Sequence, residues 1–457
     1  LDRFNKIHRF VFCFHYKFFI CFSEGEIKEN IMSLESLFSL PEQLSESEYL
    51  TATYYCEFPP EINVIAKASS FAVGQTVGTW IPVPGVTDEM RREHMGRVAG
   101  IFDVPPSELT TQLGEGKRGY LIQIAFPTAN FGSEFPMMLT TLMGNDASTS
   151  TQAKLVDIRM PKGQVAGFNG PNFGIEGIRK MTGVTGRPLL LSMIKPCTGV
   201  TPKAGADILY GAAVGGVDII KDDELMGNMP FSTILERVRE YNKAADRAFE
   251  KTGQRAVYVV NITGENLIEN ASKAVDAGAR AVMVAFPAVG YGAMHSLAKV
   301  AKVPILGHYA SSGMFYEGML SGMASHIAVG RFPRLAGADM VVINTPFGGY
   351  PLQYEKYIKT VHQLTLPFYD KKPVMPIVGG GVHPGMSEQY IDDLGRDIIL
   401  GSGGAVYGHP MGAAAGAKAM RQSIDAVVAG VALDEYAKDH PELKAALDLW
   451  GYKKTGR

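Results

Sequence analysis

The mostly apolar run Val217, Asp218, Ile219 and Ile220 ends in Lys221, Asp222, Asp223 and Glu224. A parallel strand covered on both faces reads this way when it delivers polar groups from its C-terminal end. The carboxylates of Asp223 and Glu224 offer hard oxygen ligands suited to Mg2+. A lysine ammonium would repel the ion. Lys221 fits the set if CO2 converts its amine to a carbamate, which supplies a third anionic oxygen. An isolated run of this kind is more often a solvated loop. Its place directly after an apolar strand that opens at Gly215-Gly216 favours the metal site.

Such a strand needs neighbours. From Gly170 onward, short apolar segments alternate with amphipathic ones. The strand candidates are Leu189–Lys195, Val217–Lys221, Ala256–Asn261, Ala281–Phe286, Val303–His308, Met340–Thr345, Met375–Gly379 and Asp397–Gly401. Helical stretches lie between them, among them Phe231–Glu250, Asn266–Ala277, Leu352–Leu364 and Met386–Leu394. Eight such units in about 240 residues predict an α/β fold of (β/α)8 TIM-barrel type. A dinucleotide-binding sheet would carry its glycine fingerprint near the first strand, whereas Gly401-Ser402-Gly403-Gly404 comes at the eighth.

Barrel chemistry sits at the C-terminal strand ends. Those ends read Lys195, Lys221 to Glu224, Asn261, Phe286, His308, Asn344-Thr345, Gly379-Gly380-Gly381 and Gly403-Gly404. Glycine clusters after strands seven and eight let backbone N–H groups approach phosphate oxygens closely. His308 closes a clean strand at this rim, which favours catalysis over a structural role. Cys197 reads as a small buried residue at a strand end, and the methionines between Met314 and Met323 read as helix packing.

Ahead of the barrel, residues 49–165 mix strands (Thr51–Phe58, Tyr120–Phe126, Lys154–Met160) with a helix (Phe135–Met143). This predicts a small α+β domain of ferredoxin-like type. The barrel domain is expected over 170–430 and a helical tail over 431–457. Residues 1–31 are rich in Phe but lack a clean apolar centre and a small-residue cleavage site. They read as an extension ahead of the fold, mis-started or disordered.

A net charge of -2 gives no basic excess for nucleic acid. The cysteines, Cys13, Cys21, Cys56 and Cys197, are scattered without a CxxC, which points to a reducing, cytoplasmic setting. No apolar run reaches membrane-spanning length.

Taken together, the chain from about residue 50 onward resembles the large-chain family of ribulose bisphosphate carboxylase. Gly215 to Glu224 resembles the family's metal signature, and Ile194-Lys195-Pro196 its first catalytic strand. Gly78-Thr79-Trp80, Gly144-Asn145, Gly170-Pro171, Gly408-His409-Pro410 and the tail with Trp450 also match. The resemblance implies a carbamylated Lys221 binding Mg2+ with Asp223 and Glu224. It makes Lys195 a proton-transfer group or electrophile beside an enediolate, and His308 a substrate contact and proton shuttle. Gly381, Gly403 and Gly404, with Thr79 and Trp80, would hold phosphate. Asn145 would reach the substrate of a neighbouring subunit, giving a homodimer with shared active sites.

Departures from the carboxylase pattern narrow the chemistry. Lys195-Pro196-Cys197 replaces lysine-proline-lysine, Tyr309 stands for a phosphate-binding arginine and Val342 for a histidine. Gly349 falls where the mobile loop's lysine belongs. Losing that cation should cost the developing carboxylate on the order of 3 kcal/mol. The resemblance is therefore to a RuBisCO-like protein, an Mg2+-dependent lyase or isomerase that enolises a phosphorylated ketose or 3-oxo sugar acid without efficient CO2 fixation. Three other readings stay open. They are the diketo-methylthiopentyl-phosphate enolase of methionine salvage, whose lysine base is replaced here by Asn145, a genuine carboxylase, and a non-catalytic homologue.

Overall fold

The computed structural model describes residues 37–44, 48–78, 83–109 and 116–452. Its first sheet has four antiparallel strands: β1 (Tyr49–Phe58), β2 (Arg97–Val104), β3 (Arg118–Pro127) and β4 (Lys154–Arg159). Their spatial order is β2-β3-β1-β4. Helices Val64–Gly74 and Asp88–His94 lie between β1 and β2, and Phe135–Met143 lies between β3 and β4. This is the split β-α-β-β-α-β arrangement expected of a ferredoxin-like domain. In β1, Leu50, Ala52, Tyr54, Cys56 and Phe58 are buried and the residues between them half-exposed. The period of two follows from the pleat. Tyr54 packs its ring 4.7 Å from Phe71 of the first helix.

The second sheet is a closed parallel barrel of β5 (Leu189–Met193), β6 (Ile219–Lys221), β7 (Val257–Asn261), β8 (Ala281–Ala285), β9 (Ile305–His308), β10 (Met340–Ile343), β11 (Met375–Val378) and β12 (Ile399–Gly401). Every barrel strand expected from the sequence is present, trimmed by one or two residues. Alternate residues divide between two cores. Leu189, Leu191, Ile219, Val257, Val259, Leu306, Val342 and Ile377 fill the interior. Leu190, Ile220, Tyr258, Val260, Ile305, Val341 and Val378 face the surrounding helices. Two buried faces explain why these strands read as continuous apolar runs.

The small domain is tied to the barrel by Phe135, whose ring meets Phe168, Tyr291, His295 and Phe332 at centroid distances of 4.8, 5.8, 5.7 and 5.8 Å. It also steadies the loop after β9, where Lys154 Nζ donates to the carbonyls of Tyr316 (2.8 Å) and Gly318 (2.6 Å).

Two features depart from expectation. β2 carries no clean alternation, because it is an edge strand with a register shift between Val98 and Gly100 and leaves Phe102 52% exposed. The methionine-rich stretch is mostly loop, with Met314 and Met319 exposed and only Met323 buried, so helix packing does not explain it. No helix among the described residues is long and apolar enough to cross a membrane. Residues 1–31 lie outside the described residues.

Candidate active site at the barrel mouth

Strand alternation decides which groups enter the mouth. Ile219 points inward, and so does Lys221 two residues later. Ile220 and Asp222 point outward. His308 follows Leu306 in the same way. Lys195, just past β5, completes the group. Its Nζ lies 2.7 Å from Asp223 Oδ2 and 3.0 Å from Cys197 Sγ.

Lys221 is 1% exposed. Its Nζ donates to Asp222 O at 3.0 Å and to Glu224 Oε2 at 3.3 Å. Burial pushes its ammonium below the ordinary lysine value, although Glu224 and Asp223 pull the other way. The shift favours the neutral amine, the form that can add CO2. Among the described residues, no three His, Cys, Asp or Glu side chains are grouped to hold a metal ion. If Asp223 and Glu224 held a cation, Lys221 as a carbamate, its nitrogen 3.3 Å from Glu224 Oε2, could supply a third oxygen. The donor set then suits Mg2+, a hard cation bound through oxygen.

Burial opposes the charge on Lys195, but hydrogen bonds to Asp223 and Cys197 outweigh it and hold the ammonium above its usual range. His308 Nδ1 accepts from Ala310 N at 3.1 Å, which assigns the ring proton to Nε2, 3.3 Å from Glu224 Oε2. Burial, the largest cause, pushes the His308 pKa well below the usual histidine value, which favours the neutral ring. Tyr309 stacks on that ring, 5.3 Å between centroids and 11° from parallel. Cys197 is half-exposed beside Lys195, where a small buried residue was the expectation.

The glycine loops meet over the same mouth. Gly380 and Gly381 adopt φ of +88° and +93°, a region that favours glycine. A Cβ at Gly348 would fall 2.1 Å from Gly380 O, so the loops after β10 and β11 come this close because residue 348 is glycine. A Cβ at Gly403 would meet Met193 Sδ at 2.3 Å, close to Lys195. Gly404 opens the short helix Gly404–Tyr407. A link missed in the sequence joins the loops after β9 and β10. Tyr316 Oη donates to Asn344 Oδ1 at 3.3 Å, and Asn344 Nδ2 donates to Tyr350 O at 3.1 Å.

Asn145 is not part of this cluster within one chain. It is exposed and lines a separate cavity of about 590 Å³ on the small domain, with Gln75, Thr76, His94 and Asn130. Thr79 and Trp80 lie outside the described residues.

Comparison with known proteins gives the same family along most of the chain. Residues 42–163 match the ribulose bisphosphate carboxylase large chain N-terminal domain, and residues 174–450 match its catalytic domain. A ribulose bisphosphate carboxylase-like protein of Archaeoglobus fulgidus is 43% identical over 418 residues, covering 90% of this chain and 95% of the relative. The 2,3-diketo-5-methylthiopentyl-1-phosphate enolase of Geobacillus kaustophilus is 35% identical, covering 86% and 96%. The crystal structure of a rubisco-like protein (MtnW) from Alicyclobacillus acidocaldarius superposes with a TM-score of 0.82 at 36% identity, covering 88% of this chain and all of the other.

Proposed function

Because the chain belongs to the ribulose bisphosphate carboxylase large-chain family, we propose that it is an Mg2+-dependent enolising enzyme, a lyase or isomerase of a phosphorylated ketose or 3-oxo sugar acid. One observation carries this reading. Lys221, Asp223 and Glu224 converge beside Lys195, while the loop Thr345 to Tyr350 has no lysine or arginine to hold a captured CO2.

The neutral Lys221 amine attacks the carbon of CO2, forms an N–C bond and releases a proton to solvent. When bound, Mg2+ would acidify the carbon next to a substrate carbonyl by stabilising the enolate oxygen. Lys195, already an ammonium, holds a proton beside that oxygen and can donate it there once a base has taken the proton from carbon. His308, fixed with its proton on Nε2, can donate to a substrate oxygen. The backbone of Gly381, Gly403 and Gly404 cradles one phosphate. Tyr309, where a carboxylase has arginine, leaves the opposite end without that cation, which favours a monophosphate over a bisphosphate. Asn145, which lines a cavity on the small domain, completes the site of a second subunit in a homodimer.

A second reading is the diketose-phosphate enolase reaction, favoured by the enolases that are 35% identical. Asn145 in place of that enzyme's lysine base weighs against it. Proton NMR in D2O distinguishes these outcomes. The full chain, with Mg2+ and bicarbonate, is incubated with ketose phosphates, diketose phosphates, 3-oxo sugar-acid phosphates and ribulose bisphosphate. Metal-dependent deuterium incorporation or product from a monophosphate is the expected result. Carbon fixation onto ribulose bisphosphate would overturn it.

A further inference from the structure

A second constellation occupies the outward side of the β6 turn, behind the proposed metal ligands. Asp222 is 1% exposed and lies between Lys221 and Asp223 in sequence. Its carboxylate accepts three hydrogen bonds: from Arg237 Nε at 3.1 Å, Tyr258 Oη at 2.8 Å and Asn261 N at 2.9 Å. Arg237, on the helix Ile234–Thr252, is fully buried. Its remaining nitrogens donate to the carbonyls of Gly227 (2.9 Å), Met226 (3.4 Å), Asn261 (3.5 Å) and Ser232. The Asn261 side chain donates to the carbonyl oxygens of Asp223 (3.4 Å) and Glu224 (3.1 Å).

Burying an ion pair seldom adds stability over an apolar pair of the same size, because both charges lose their water. The direction of these bonds suggests what this pair does instead. They end on the peptide groups from which the proposed ligands project, and on the irregular turn that follows. We propose that Asn261, Asp222, Arg237 and Tyr258 are positioning residues that preset Lys221, Asp223 and Glu224 for a divalent cation; this rests on the metal-site reading above. Asn261 holds the main chain of both carboxylate ligands. Asp222, clamped from three sides, keeps its own carbonyl where Lys221 Nζ rests before CO2 adds. Arg237 neutralises Asp222, so the carboxylate behind the site adds no net charge to the ligand set. When Lys221 gives up its contacts with Asp222 O and Glu224 to become a carbamate, this frame keeps the other two ligands in place.

The test is binding, not turnover. Mn2+ affinity is measured by electron paramagnetic resonance in bicarbonate buffer, the Lys221 carbamate by 13C NMR with labelled CO2, and folding by thermal melts. N261A and R237K should each weaken Mn2+ binding about tenfold or more, the range typical of groups that orient metal ligands. Y258F, which removes one hydroxyl, should weaken it by a smaller factor with little change in melting and serves if N261A fails to fold. R187K is the control. Arg187 pairs bidentately with buried Asp218 at the opposite end of β6, at 2.7 and 2.8 Å. That variant should lose stability and keep its Mn2+ affinity. Wild-type affinity in both N261A and Y258F, or an equal loss in R187K, would overturn the proposal. K221A separates the two levels. Mn2+ binding that survives in K221A sinks the metal-site reading itself, whereas binding lost in K221A and unchanged in N261A and Y258F sinks only the positioning network.

Discussion

Lys195 Nζ lies 2.7 Å from Asp223 Oδ2, so an ammonium from the end of β5 rests on a carboxylate that the proposed metal site also needs. The Lys195 side chain is 39% exposed, which leaves it free to swing. Under the proposed metal site, a cation and Lys195 would compete for Asp223 in the resting protein and would cooperate once substrate separated them. Replacing Lys195 with Met should therefore act with opposite signs on two measurements. Mn2+ binding should tighten, because a competing charge has gone. Metal-dependent deuterium exchange should fall about a hundredfold or more, the usual loss when one preorganised donor is removed. Parallel loss of both would mean that Lys195 helps to build the metal site rather than to use it.

Lys221 should make activation by CO2 depend on pH within a definite window. Only the neutral amine adds CO2, and burial lowers the pKa of this lysine below the ordinary lysine value. The activated fraction at fixed dissolved CO2 should rise with pH as the ammonium loses its proton. That rise should sit below the range of a free lysine, near 10.4. The measurement is the rate of activation against pH with CO2, not bicarbonate, held constant. A rise that follows only free-lysine titration would show that Lys221 is not the group being activated.

Much of this was legible in the sequence, for a physical reason. Barrel strands are buried on both faces, so Leu189 to Met193 and Val257 to Asn261 announce themselves as apolar runs, and their last residues mark the mouth. β2 did not announce itself, because an edge strand needs one apolar face at most and only Val98 is buried in it. The proposed ligands stood out by charge after an apolar strand. Their supports did not. Arg237 lies well beyond Glu224, and its spacing from Ile234 and Tyr241 puts it on the buried stripe of its helix, but that spacing does not say which group an arginine there would pair with. Only the fold turns Asp222 outward to meet it. Asn145 was recognisable by resemblance alone; among the described residues it lines a cavity on the small domain with Gln75, His94 and Asn130.

The separation of Asn145 from Lys221 gives a complementation test. K221A lacks the proposed metal ligand on the barrel, and N145A lacks the proposed contribution from the small domain. Each homodimer should be inactive. If the chains are mixed and allowed to exchange, half of the dimers carry one chain of each kind. Each such dimer has one site with both defects and one with neither. Activity should return to about a quarter of the wild-type value, as two-fold symmetry requires. No recovery after exchange verified by mass spectrometry would mean that each chain builds its site alone.

The C-terminal helix Pro441–Trp450 should release from the barrel in acid through Glu442. Lys418 Nζ donates to Glu442 Oε1 at 2.7 Å and Gln422 Nε2 donates to Oε2 at 2.9 Å. Burial works against the charge, but these bonds outweigh it and hold Glu442 at about 2. An unfolded glutamate titrates near 4.3. The folded pKa is depressed, so the stabilisation is complete above about pH 4.5 and is lost as pH falls towards about 2. Trp450 ends this helix with its ring 6.4 Å from His383 and 6.2 Å from His409, beside the loops after β11 and β12. The chain has two tryptophans, so in a W80F background Trp450 alone reports docking. Its emission should shift between pH 4.5 and 2 while far-ultraviolet circular dichroism still shows the barrel. E442Q should lack that transition, since glutamine carries no charge to lose. An identical acid transition in E442Q would assign the release to another carboxylate.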